Sequence, residues 1–205
     1  MNTRDKIVYI ADELIRSQGY NAFSYSDIGK DMAIRPAAVH YHFPTKTDLG
    51  LEVIRQELAR VTAFRRQAPD GTSGDQLKRL FQTFWRQSVE RRLCLIGALT
   101  PDFTTFDDPM QDAVKKLCSE IAGWVAVCLE EERKEGRMRF EGTAADRALL
   151  VLSTLLSSLL LGRVMGGHSV FESMADQLLR DLGADWKVWD LEPPPEDYDN
   201  PYSYI

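Results

Sequence analysis

Residues 24–49, SYSDIGKDMAIRPAAVHYHFPTKTDL, constrain this chain more than any other stretch. Ser24 opens an S-x-x-D box with Asp27, a pattern in which each side chain reaches the other's free backbone N–H at a helix start. Ile28 and Met32, four residues apart, give that short helix an apolar stripe. Met32-Ala33-Ile34 forms the turn. Pro36 suits the first turn of a second helix, where its missing N–H costs nothing. Val39 and Phe43 are spaced to pack inward. That leaves Arg35, Ala37, Ala38, His40, Tyr41 and His42 facing outward or flanking. Pro44 stops the helix. Thr45 and Asp48 form a second capping box for a third helix. Lys46 sits in the first turn of that helix, beside free N–H groups suited to a phosphate. Two short helices across a tight turn, followed by a longer one, make a helix-turn-helix pattern and point to duplex DNA.

The rest of the chain carries helical spacing throughout, so the expected fold class is all-α. Ile7, Ile10, Ala11, Leu14 and Ile15 stripe a first helix. Leu51, Ile54, Leu58 and Val61 run along a long fourth helix ending near Arg66. Residues 68–74 read as a loop. Leu77, Leu80, Phe81, Phe84, Trp85 and Ser88 return to helical spacing. Residues 94–100 suggest a short helix stopped by Pro101, with a second loop over 102–109. Val114, Leu117, Cys118, Ile121, Val125, Cys128 and Leu129 stripe a long helix ending near Gly136. Two more helices are expected at about 143–165 and 169–182. The first contains ALLVLSTLLSSLLLG. Its apolar run reads as shorter than the roughly 18 residues of a membrane span, is bounded by Arg147 and Arg163, and carries hydroxyls. Burial on all sides within protein, without a membrane, is the expectation. Phe171, Met174, Ala175, Leu178, Leu179 and Leu182 give the last helix a matching stripe.

A net charge of −6 over 205 residues is unusual for a DNA-binding chain, but the charge is unevenly spread. Residues 1–66 hold ten Lys/Arg and eight Asp/Glu, a net +2, and residues 67–205 hold fifteen and twenty-three, a net −8. Binding through a few placed contacts is implied, not through a broad basic field. Two of the three histidines lie in the second helix of the motif, so affinity is expected to rise as pH falls through the histidine range. The chain opens directly into a helix, and its three cysteines form no paired motif. A cytoplasmic protein is the expectation. There is no Gly-rich phosphate loop, G-x-S-x-G, H-E-x-x-H or zinc-spaced Cys/His set. No catalytic residues, metal or cofactor are therefore expected, and no enzymatic activity.

The segment from Arg4 to Ile54 closely resembles the DNA-binding domain of the TetR family of one-component bacterial regulators. The resemblance rests on the amphipathic first helix ending in Gly19-Tyr20, the SYSDIGKDM helix, the turn with Ile34, the helix ending His42-Phe43, and Pro44-Thr45-Lys46 before a long helix. It departs from the common pattern at three positions. Ala33 stands where many members have glycine, Arg35 where many have serine, and His40 where many have an aromatic residue, often tyrosine. The resemblance implies a DNA-binding head over 1–46, a helical ligand-binding and dimerisation body over 47–182, and an acidic Pro/Tyr-rich tail over 183–205. It implies a homodimer through about 143–182, with two recognition helices roughly 34–36 Å apart on a palindromic operator. A repressor released by a small apolar or reactive effector is expected.

Base-facing roles fall to Arg35, Ala37, Ala38 and Tyr41, with Pro36 completing the surface, and phosphate-positioning roles to Arg4, Ser24, His40, His42 and Lys46. Candidate effector-lining residues are Phe64, Phe81, Phe84, Trp85, Cys94, Phe103, Phe106, Trp124 and Cys128; any one of them also fits plain core. Cys94 follows Arg91 and Arg92, which favour thiolate, so a redox or electrophile sensor stands beside a structural thiol. Cys118 and Cys128 lie about 15 Å apart along one helix and cannot bridge within it. The competing reading is a helical small-molecule-binding or minor enzymatic protein whose head no longer binds DNA.

Overall fold

The structure, a computed structural model, describes residues 1–66 and 72–188. Among them there are nine α-helices, one 3-10 turn and no strand, as the helical spacing predicts. The helices are α1 (Thr3–Gln18), α2 (Tyr25–Met32), α3 (Pro36–His42), α4 (Lys46–Arg66), α5 (Ser73–Val89), α6 (Leu95–Leu99), α7 (Asp108–Lys134), α8 (Ala144–Met165) and α9 (Ser169–Asp181). The 3-10 turn, Thr100–Thr105, lies between α6 and α7.

Two boundaries differ from expectation, each for a local reason. The loop expected over 68–74 gives way to α5 at Ser73, because Thr72 and Asp75 form a capping box with the Thr72 hydroxyl donating to the carboxylate at 2.9 Å. Residues 67–71 lie outside the described residues. The short helix α6 ends at Leu99, before Pro101, as expected, but the loop expected over 102–109 is not one: Pro101 opens a 3-10 turn, where it needs no N–H partner, and α7 already begins at Asp108.

The chain packs as two compact units. One contains Met1–Val61 and Leu95–Cys118, so residues 95–118 join the head. In it α1 packs on α2 and α6 around fully buried Ile7, Ile15, Ile28, Val39 and Leu49. Burying each such side chain contributes about 1.5–3 kcal/mol. Gly50 lets α4 approach its neighbours closely: a Cβ there would lie 2.7 Å from Met110 Cε and 2.9 Å from Tyr20 Cε2. An ion cluster ties α1 to α4. Arg16 pairs with Asp12 and Glu57, both at 2.9 Å, and Arg60 reaches Asp12 at 3.2 Å and Glu57 at 2.5 Å. Burial pushes Glu57 upward, but Arg60 and Arg16 outweigh it and hold the carboxyl below its usual range.

The other unit contains Thr62–Cys94 and the described residues from Ser119 onward. Here α8 packs along α9, and both pack on α5. Glu132, almost fully buried, accepts the Gly74 N–H at 2.8 Å from the first turn of α5 and pairs with Arg137 at 2.5 Å. Trp186 packs edge-on against Phe81 at 5.3 Å, and the buried Val188 donates its N–H to Asp176 at 3.4 Å. Residues 183–188 of the expected tail therefore return onto this unit; residues 189–205 lie outside the described residues.

In the single chain the burial of α8 is one-sided, which leaves the expected burial against a second copy open. At 22 residues it is, contrary to the expectation of a shorter run, long and apolar enough to cross a membrane by length and composition. Leu149, Leu150, Leu160, Leu161, Val164 and Met165 are exposed, with Ser153 between them on the same face.

Candidate nucleic-acid interface

The turn between α2 and α3 is set by backbone geometry. Ala33 adopts the left-handed conformation, φ 55° and ψ 38°, and its N–H caps α2 on Lys30 O at 3.2 Å. An alanine there carries strain that glycine would not, yet the turn forms. Gly29 supplies the space: a Cβ there would lie 2.8 Å from Ile34 O. Ile28, Val39 and Phe43 are buried beneath the motif. The Tyr25 hydroxyl closes the motif by donating to Thr45 O at 2.6 Å, shared with Phe43 O at 2.9 Å. Burial pushes that phenol up to about 12. Sequence spacing gave no warning of this clamp, which joins residues 18 and 20 apart.

On this scaffold the outward face of α3 is presented as expected. Arg35, Pro36, Ala37 and His40 are exposed, Ala38 and His42 half-buried, and Tyr41 is 84% exposed. The His40 ring rests on Tyr25 at 4.5 Å, with Nδ1 3.4 Å from Pro44 O. Tyr41 and His42 meet edge-on at 5.3 Å.

Three expected phosphate contacts are engaged within the protein. The Lys46 ammonium donates to Tyr20 O at 2.6 Å and Phe23 O at 2.5 Å and sits over both rings, so it staples α4 to the α1–α2 connection. Burial holds it below its usual range. The reading of Lys46 as a free phosphate contact is corrected accordingly; two of its three N–H bonds are already used. Ser24 donates its hydroxyl to Asp27 at 2.7 Å, and this bond with the Ser24 backbone N–H holds the Asp27 carboxyl at about 2. Arg4 pairs with Glu52 at 3.1 Å and lies 4.9 Å above the Phe43 ring. Glu52 also receives Arg55 at 2.6 Å, and these guanidinium bonds hold its carboxyl at about 2.

The head is latched to the 3-10 turn and the start of α7. Asp102 accepts the Asn21 N–H at 2.9 Å, Asn21 Nδ2 donates to Thr105 at 3.0 Å, and Thr47 donates to Asp107 at 2.9 Å. Phe106 packs edge-on against Tyr20 at 5.0 Å and Phe103 against Phe106 at 6.4 Å. These two rings were expected to line an effector pocket; they belong instead to the unit that holds the head. Of the remaining candidates, Phe64 meets Trp124 at 5.3 Å, and Trp124 Nε1 donates to Gln76 Oε1 at 2.7 Å. Cys128 Sγ lies 3.6 Å from the same oxygen, and burial pushes its thiol up to about 11. Phe81, Phe84 and Cys94 are buried, and the buried Trp85 Nε1 has no hydrogen-bond partner. An open surface depression of about 590 Å³ in this unit is lined by Arg139, Phe140, Glu141, Arg147 and Asp181, none of them a predicted lining residue. Among the described residues no group of three or more His, Cys, Asp or Glu could hold a metal.

Residues 7–53 match the model of the bacterial regulatory proteins, tetR family. The chain is 24% identical over 187 residues to an uncharacterized HTH-type transcriptional regulator in the lacX 3′ region of Lactococcus lactis subsp. lactis, covering 86% of this chain and 91% of that one. It is 40% identical over 57 residues to the HTH-type transcriptional regulator QacR of Staphylococcus aureus, 28% of this chain and 30% of that one. The solved structure of a TetR transcriptional regulator from Legionella pneumophila superposes with a TM-score of 0.78 at 27% identity, covering 89% of this chain and 98% of that one.

Proposed function

We propose, for a chain that belongs to the TetR family and is a DNA-binding transcriptional regulator, that it acts as a cytoplasmic homodimer repressing from a palindromic operator and released by a small effector. The observation that carries the DNA reading is the exposed face of α3, presented on a fully buried scaffold. Arg35, Pro36, Ala37, Ala38 and Tyr41 read bases from this face, with His40 and His42 beside the phosphates. Ser24 reaches a phosphate only by leaving Asp27, whereas Arg4, half-exposed, has guanidinium N–H groups beyond the one on Glu52. Lys46 contributes one spare N–H and its charge.

One such helix reads few base pairs, so an operator of useful specificity needs two. The exposed stripe on α8 supports the second copy as its occupant. Its opposite face packs on α9, and its own face carries Ser153 amid leucines, a large apolar patch of the kind that marks an interaction surface. The effector site lies among Phe64, Phe81, Phe84, Trp85, Cys94, Trp124 and Cys128. Trp85 Nε1 there favours an effector with a hydrogen-bond acceptor. No catalytic role is assigned to any residue.

Selection of genomic fragments by the purified protein at physiological salt tests this reading. The expected result is one two-fold sequence, protected by two protomers and released by an effector. Recovery of random, salt-labile fragments alone would overturn it.

A further inference from the structure

The connection between α7 and α8 is short and tightly held. Burial alternates along it: Met138 is buried, Arg139 exposed, Phe140 half-buried and Glu141 exposed. Its backbone is fixed from three helices. Arg139 N–H donates to Leu182 O at 2.8 Å, at the end of α9. Arg133 Nη1, in the last turn of α7, donates to Gly142 O at 3.0 Å. Arg147 Nη2, in the first turn of α8, donates to Glu141 O at 3.3 Å. The same two guanidinium groups lie 4.7 and 5.5 Å from the centre of the Phe140 ring, each a cation–π contact.

Arg139, Phe140, Glu141 and Arg147 line the open depression together with Asp181, the last residue of α9. Two guanidinium groups and two carboxylates thus border one space, yet among the described residues no ion pair joins any of them to another. Opposite charges free to meet do pair nearby, Arg133 with Glu130 and Arg137 with Glu132. The Arg139 guanidinium and the Glu141 carboxylate have no partner among the described residues, and Asp181 accepts only Gln177 Nε2, at 2.9 Å. Arg147 Nε is buried and donates to nothing, a state that costs free energy until an acceptor arrives.

We infer that this depression binds a small zwitterion, its carboxylate between Arg139 and Arg147 and its ammonium against Glu141 and Asp181. An anion alone would also meet two carboxylates, and a cation alone two guanidinium groups, so each would lose to repulsion what it gained from attraction. A molecule carrying both charges finds an opposite for each and gives Arg147 Nε its missing acceptor. The volume, about 590 Å³, falls within the roughly 300–1,000 Å³ of small-molecule sites. Exposed charge pairs contribute little apiece, so the affinity is weak, in the millimolar range. The occupant bridges the α7–α8 connection, α8 and the end of α9, and thereby stabilises this unit. The depression shares no residue with the set assigned to the effector, and filling it requires no DNA.

The test is NMR titration of the full chain with glycine, 4-aminobutyrate and 6-aminohexanoate, which differ in the separation of their two charges. The side-chain Nε–H signals of Arg139 and Arg147 and the amides of residues 139–142 are followed. At least one of the three compounds should shift these signals saturably and raise the melting temperature. Sodium acetate and methylammonium chloride, at matched ionic strength, should do neither. Arg139→Gln and Glu141→Gln alter exposed side chains without described partners, so without ligand both variants should melt with the wild type. Each should weaken binding several-fold, and the double variant should abolish it. The absence of a saturable shift with all three compounds would overturn the inference. So would acetate or methylammonium acting as strongly as the zwitterions, or binding indifferent to both variants.

Discussion

Lys46 and Tyr41, expected from the sequence to meet a phosphate and a base respectively, differ in what they do within the protein. Removing the Lys46 ammonium strands two half-buried carbonyls, Tyr20 O and Phe23 O, at a cost of about 1–3 kcal/mol for each group left unsatisfied. Lys46→Ala should therefore lower the thermal midpoint as well as weaken DNA binding. Tyr41, 84% exposed, supports nothing beneath it. Tyr41→Ala should leave the midpoint unchanged and cost about 1–3 kcal/mol in operator affinity, the worth of a good base contact. Parallel melting and titration curves check both, and normal DNA binding by Tyr41→Ala would show that α3 is not the reading helix. Ala33 gives a prediction of opposite sign. At φ 55° it is strained, and Ala33→Gly should stabilise the head by a few tenths to about 1 kcal/mol in urea unfolding, relief of strain being partly offset by glycine's freedom in the unfolded chain.

Element starts and stops were legible where side chains speak to their own helix. The boxes at Ser24 and Thr45, the apolar stripes, and the ends of α4 and α7 all follow local rules. What the sequence hid depends on long separations. The Asp12–Arg16–Glu57–Arg60 cluster joins residues more than forty apart, and the Asp102 and Asp107 latches more than fifty. No spacing rule sees such pairs, and Phe103 and Phe106 were assigned to an effector pocket for that reason. The α1–α4 pairing also fixes a pH response. Glu52 is held at about 2 and Glu57 is also held low, against about 4.3 for an unfolded glutamate. Their stabilisation is fully present above the unfolded value and is lost as pH falls towards 2. Urea midpoints of the head should be flat from pH 7 to about 5 and then fall, with a shallower fall in Glu52→Gln.

The whole molecule carries an inconsistency that one further chain resolves. α8 is apolar on a face that nothing described in its own chain covers, and α3 is too small a reader to act singly. A two-fold axis through α8 removes both difficulties, since every contact made by one copy is repeated by the other. A lipid surface would cover α8 but would leave the recognition helix alone. Leu160 and Val164, 45% and 84% exposed, separate these outcomes. In an isolated protomer their replacement by arginine touches little and should change stability by no more than about 0.5 kcal/mol. Across a two-fold interface the same change places at least two unpaired guanidinium groups in apolar surroundings. Leu160→Arg/Val164→Arg should therefore halve the mass measured by sedimentation and, with each protomer left to a half-site, weaken operator binding at least tenfold while the circular dichroism spectrum stays unchanged. A variant that remains dimeric with full affinity would place the interface elsewhere, and wild-type protein that partitions into vesicles through this face would favour lipid as its occupant.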